Sequence, residues 1–95
     1  MYASIRKYQA TDIEHIARRI DEEFLSRVRD VPGFSAYYVV DGGGGTLVTV
    51  TLADDSAGAE ASAEAAASWI RENQDIADLI EGPPDVTNGE VRASA

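Results

Sequence analysis

The sequence predicts an α+β domain of the ferredoxin-like kind: β-α-β-β-α-β, an antiparallel sheet with two helices on one face. Three observations predict it. Strand-like runs stand at Tyr2–Gln9, Phe34–Val40 and Thr46–Leu52, and segments with helical periodicity follow the first and third. A chain of 95 residues with 44% hydrophobic content suits one domain over residues 1–95.

The first run, YASIRKYQ, alternates strictly: Tyr2, Ser4, Arg6 and Tyr8 point one way, and Ala3, Ile5 and Lys7 the other. Thr11-Asp12-Ile13-Glu14 then has the form of a capping box. Behind it, Ile13, Ile16, Ala17, Ile20, Phe24 and Val28 recur at helical spacing, which predicts a five-turn amphipathic helix. Glu14–Arg18 and Glu23–Arg27 are spaced to pair along its polar side. Val31-Pro32-Gly33 ends it.

Between the next two strands stand Asp41 and four glycines, Gly42–Gly45. A phosphate-cradling loop needs a helix N-terminus behind it, and these glycines lead into TLVTVTL, a strand. Glycine supplies the positive φ of a hairpin turn, so the segment is a hairpin. Asp54, Asp55 and Ser56 are N-cap types ahead of an alanine-rich helix that ends or breaks between Asn73 and Gly82. GPPD (Gly82–Asp85) and TNGE (Thr87–Glu90) have turn composition, and a last short strand is expected around Glu90 to Ala93.

Composition removes several chemistries. No cysteine is present, which excludes disulfides, thiolate metal sites and cysteine nucleophiles. One histidine permits no Ser-His-Asp arrangement, and no metal-ligand spacing exists. The net charge of −9 is carried almost wholly by residues 54–95, with ten acids against two bases. Such a surface repels nucleic acid and anionic membranes. No signal peptide or membrane span is visible, and a cytoplasmic location is expected.

Strand parity assigns Ala36, Tyr38, Val40, Val48, Val50 and Leu52 to the side facing the helices. The same parity leaves Tyr2, Ser4, Arg6, Tyr8, Tyr37, Val39, Leu47, Thr49 and Thr51 on the open side. An open face holding Tyr37, Val39 and Leu47 needs cover, and a second copy laid sheet to sheet is the simplest one. A homodimer is expected.

YASIRKYQ, the Pro32–Phe34 tripeptide, the YYVVDGGGG hairpin and the AAASWI stretch (Ala65–Ile70) together resemble the dimeric α/β-barrel superfamily, near its antibiotic biosynthesis monooxygenase-like group. The resemblance spans roughly residues 2–93. It implies two ferredoxin-like protomers packed into a barrel, with a pocket between each sheet and its helices. Members oxidise aromatic polyketides without metal or organic cofactor, degrade heme, isomerise muconolactone-type compounds, or have no known activity. Trp69 matches the second-helix tryptophan of the oxygenase-like members. Their partner asparagine is missing, because the first strand has none and Ala65 stands one turn before Trp69. The second-helix histidine of heme-degrading members is missing as well, and His15 falls on the polar side of the first helix. No cofactor is expected.

The candidate pocket-lining residues are Arg6, Tyr8, Tyr37, Thr49, Trp69 and Asn73; no catalytic residue is assigned. Trp69 stands beside the alanine stripe, flanked by Ser62, Asn73 and Ile76. It either fills space that the alanines leave or walls a pocket with Asn73 as polar anchor. An interior Arg6 must meet a carboxylate or an anionic ligand. The expected function is a homodimer binding a small aromatic or anionic ligand. The alternative is a cofactor-independent monooxygenase or isomerase acting on an aromatic, polyketide-like substrate.

Overall fold

The computed structural model describes residues 1–95. Strand β1 (Tyr2–Ala10) leads into α1 (Ile13–Arg19), which runs through a π-helical segment (Ile20–Phe24) into α2 (Leu25–Val28). The hairpin of β2 (Phe34–Gly43) and β3 (Thr46–Ala53) follows, then α3 (Ser56–Glu72), the single turn α4 (Gln74–Ala77) and β4 (Ile80–Glu90). The sheet order is β2-β3-β1-β4, antiparallel throughout. This is the ferredoxin-like fold. No helix is long and apolar enough to cross a membrane.

The predicted capping box does not form. Asp12, not Thr11, precedes the helix, in a left-handed conformation (φ 50°) and without a side-chain cap bond. The Thr11 amide donates instead to the Leu79 carbonyl at 2.9 Å, which ties the helix start to the segment before β4. The π segment answers to the apolar spacing. Ile16, Ile20, Phe24 and Val28 are four apart, so each step drifts about 40° at 3.6 residues per turn. A wider turn in the middle of the series takes that drift back. All four side chains are buried. The ion pairs differ from the predicted ones: Arg19 holds Glu23, and Arg27 reaches across to Glu72 on α3 at 2.7 Å.

The hairpin turns as expected. Gly43, Gly44 and Gly45 all have positive φ, and the Gly45 carbonyl accepts from the Ala10 amide at 2.9 Å. Asp55 caps α3 by accepting from the Gly58 amide at 2.8 Å. At Gly58 the helix comes so near β3 and the preceding turn that a Cβ would stand 3.2 Å from both Ala53 Cβ and the Pro32 carbonyl.

The sheet parity is the reverse of the predicted one. The helices cover Ser4, Tyr8, Leu47, Thr49 and Thr51, all buried, together with the partly buried Arg6, Tyr37 and Val39. The bare face is Ala3, Ile5 and Lys7 on β1, Ala36, Tyr38 and Val40 on β2, and Val48, Val50 and Leu52 on β3. Both sides of β2 and β3 carry apolar residues, so their composition cannot fix parity. The polar members Ser4, Thr49 and Thr51 look solvent-facing in sequence, yet they are small enough to lie beneath the helix layer.

The last strand is longer and earlier than predicted. It spans Ile80–Glu90 and includes Gly82-Pro83-Pro84, while residues 91–95 are not strand. Pairing passes from Lys7–Asp85 to Gln9–Glu81, so three residues of β4 lie opposite Tyr8 alone. Proline has no amide hydrogen to give a ladder, and an edge strand tolerates that loss. The strand bows out there.

Candidate functional site

The helix-facing side of the sheet sets out rows of cross-strand neighbours. Val39, Thr49 and Arg6 form one row across β2, β3 and β1; Tyr37, Thr51 and Ser4 form the next. Alternation therefore brings Tyr8, Tyr37 and Thr49 together over the middle of the sheet. Trp69 meets them from α3, where it is 4% exposed and lies in the core rather than at the helix edge predicted for it. The buried line of α3 runs through Ala59, Ser62, Ala63, Ala66 and Trp69. Phe24, from the π segment, packs edge-on against Tyr37 at 5.3 Å between ring centroids and tilted against Trp69 at 5.8 Å.

These side chains enclose a cavity of about 10 Å³ lined by Tyr8, Tyr37, Leu47, Thr49, Phe24 and Trp69, among others. That is room for about one water. Burial pushes the Tyr8 phenol up, opposed by the Arg6 charge beside it. Tyr37 is pushed up further, by burial first and then by Tyr8, with Thr49 and Arg6 acting the other way. Both phenols are neutral near pH 7 and serve as hydrogen-bond donors, not bases.

Arg6 borders a second, open space. A cleft of about 210 Å³ is walled by Ala67, Ile70 and Arg71 of α3 and by Ile80, Gly82 and Pro84 of β4, with Arg6 and Tyr8 at its base. The bow at Gly82-Pro83-Pro84 opens this space, because β4 leaves the ladder opposite Tyr8. Arg6 Nε is buried without a hydrogen-bond partner. No carboxylate forms an ion pair with its guanidinium. Across the cleft Arg71 is held by Glu64 at 3.0 Å and by Ser68 at 3.1 Å.

Asn73 stands apart from this group. Its amide nitrogen donates to the Trp69 carbonyl at 2.8 Å and its oxygen accepts from Arg19 at 2.8 Å, so it closes the C-terminus of α3. His15 is half-buried rather than free on the surface. It lies 3.5 Å from Asp75 and 3.2 Å from the Arg18 guanidinium, and Arg19 also holds Asp75. These contacts join α1 to α4. Arg71, Gly82 and Pro84 are the cleft residues that sequence reasoning passes over. GPPD reads as a turn, and only the impossibility of a ladder bond at proline hints at a bowed strand.

No family model and no curated protein matches the chain. Solved structures do. A monooxygenase of Streptomyces coelicolor, in complex with nanaomycin D, superposes with a TM-score of 0.74 at 14% identity, covering 99% of this chain and 89% of the other. A protein of unknown function from Nitrosomonas europaea gives 0.76 at 22% identity, covering 99% and 91%. SnoaB, a cofactor-independent oxygenase of Streptomyces nogalater, gives 0.69 at 9% identity, covering 98% and 94%. The fold is that of the antibiotic biosynthesis monooxygenase-like proteins. At these identities the likeness extends to the fold, and function is argued from the site.

Proposed function

We propose that the protein works as a homodimeric α/β barrel, two copies facing sheet to sheet, and binds a small aromatic or anionic compound. The observation that carries the reading is the bare sheet face. Ala36, Leu52 and Ala3 form one row across it, Tyr38, Val50 and Ile5 the next, and Val40, Val48 and Lys7 the third. Tyr38 is 55% exposed and Val40 46% in the single chain. A contiguous apolar patch of this kind is an interaction surface, and a two-fold pairing of identical faces is the commonest closed assembly. Solved neighbours that are a monooxygenase with nanaomycin D and a cofactor-independent oxygenase support a small-molecule role for this architecture. A cytoplasmic setting is part of the same reading, in keeping with the cysteine-free sequence.

The filled space between sheet and helices argues against an enclosed substrate site there, and a bound compound is left the open cleft beside Arg6. A polyketide-like substrate needs an enclosed compartment there, and Phe24, Tyr37 and Trp69 fill it to about 10 Å³. The assembly is checked by light scattering at micromolar concentration. The expected mass is twice the 10.2 kDa of one chain. Val50→Asp puts a carboxylate in the middle row and is expected to give a folded monomer by the same measurement. A monodisperse wild-type monomer overturns the reading.

A further inference from the structure

We infer that the cleft between α3 and the bowed part of β4 is a binding site for a small flat organic acid, with Arg6 as the group that takes its carboxylate. This rests on the reading of the protein as a small-molecule-binding dimer and names the class of molecule. Four observations carry it. Arg6 Nε is buried and has no partner, although a desolvated guanidinium is costly unless an anion meets it. No acidic side chain of the chain forms an ion pair with it. The space beside it is open, about 210 Å³, below the roughly 300–1,000 Å³ that drug-sized ligands occupy, which suits a fragment of one or two rings. Its walls divide by chemistry. Ala67, Ile70, Ile80 and Pro84 offer apolar surface to a ring, and Arg6, Arg71 and the Tyr8 phenol offer donors to an acid group.

The net charge of −9 opposes an anion at long range, but that field is screened within about 10 Å at 0.1 M salt. The guanidinium acts at hydrogen-bond distance and in a partly desolvated place, so the local attraction wins. Arg71 already has Glu64 and Ser68 as partners, whereas Arg6 Nε has no partner and no carboxylate pairs with the Arg6 guanidinium, so Arg6 is the anchor.

The experiment titrates the 95-residue protein with 2-naphthoate and, separately, with its neutral analogue 2-naphthamide, following heat by calorimetry. The acid is expected to bind roughly tenfold to a hundredfold more tightly than the amide, the range of one charge-assisted hydrogen bond. Arg6→Gln is expected to erase that preference, and Arg6→Lys to keep part of it. Ala67→Phe, which leaves Arg6 in place and fills the cleft, is expected to abolish binding of both. Equal binding of acid and amide by the wild type, or an undiminished preference in Arg6→Gln, overturns the assignment. So does the absence of binding by a wild type that light scattering shows to be dimeric, and in that case the dimer reading stands. Thermal melts of each variant show that it is folded. If Arg6→Gln does not fold, the loss or retention of binding in Ala67→Phe decides.

Discussion

Two buried polar atoms, Ser4 Oγ and Arg6 Nε, stand two residues apart on β1 without a hydrogen-bond partner, and their surroundings separate them. Arg6 borders an open cleft. Ser4 is 3% exposed, between Thr51 and Asn88 in the ladder, and lines none of the described cavities. An orphaned buried hydroxyl costs more than its removal, so Ser4→Ala is expected to raise stability by about 1 kcal/mol in urea denaturation. Trp69 behaves oppositely. It occupies the one gap that the alanines of α3 cannot fill, and Trp69→Ala is expected to cost about 3–5 kcal/mol by the same measurement. The Tyr37 phenol sets the response to alkali. Burial raises its pKa, so the folded chain keeps the proton longer than the unfolded one. Stability is therefore intact below about pH 10, where the unfolded phenol titrates, and falls as pH rises beyond it. Melting temperatures between pH 8 and 11 are expected to drop less steeply in Tyr37→Phe.

At the scale of elements, the hairpin offers a matched pair of tests. Gly44 has φ 61° with open space where a Cβ would stand, a geometry asparagine also adopts, so Gly44→Asn is expected to cost less than about 1 kcal/mol. Gly45 has φ 81° and its Cβ would lie 3.2 Å from the Ala10 carbonyl, so Gly45→Val is expected to cost about 1–3 kcal/mol in thermal unfolding. This turn and the Asp55 cap are legible in the sequence because their chemistry is local: a few residues supply both the demand and the answer. Sheet parity is not legible, since a shift of one residue exchanges the faces and Tyr37, Tyr38, Val39 and Val40 would suit either side. The π segment hides because a run of fours looks helical whichever turn width the chain takes. The gathering of Tyr8, Tyr37 and Thr49 needs only that they share parity, and reversing the faces keeps them together. Arg71, Gly82 and Pro84 could not be added to them, because β4's register depends on Lys7–Asp85 and Gln9–Glu81 pairings between distant parts of the chain.

Taken whole, the molecule has one finished side and one bare side, and the proposed dimer makes its stability depend on concentration. Raising the protein from 1 to 100 μM is expected to raise the melting temperature, and to leave that of Val50→Asp unmoved, in calorimetric scans. The sheet's outer margins differ in the same practical way. At one margin Gly82-Pro83-Pro84 bows β4 and breaks the row of amide donors that a stray strand would have to match. At the other, β2 runs through Phe34–Gly43 without a proline. The bow that opens a cleft thus also blunts that margin as a template for fibrils. Any runaway stacking of chains would have to begin along β2.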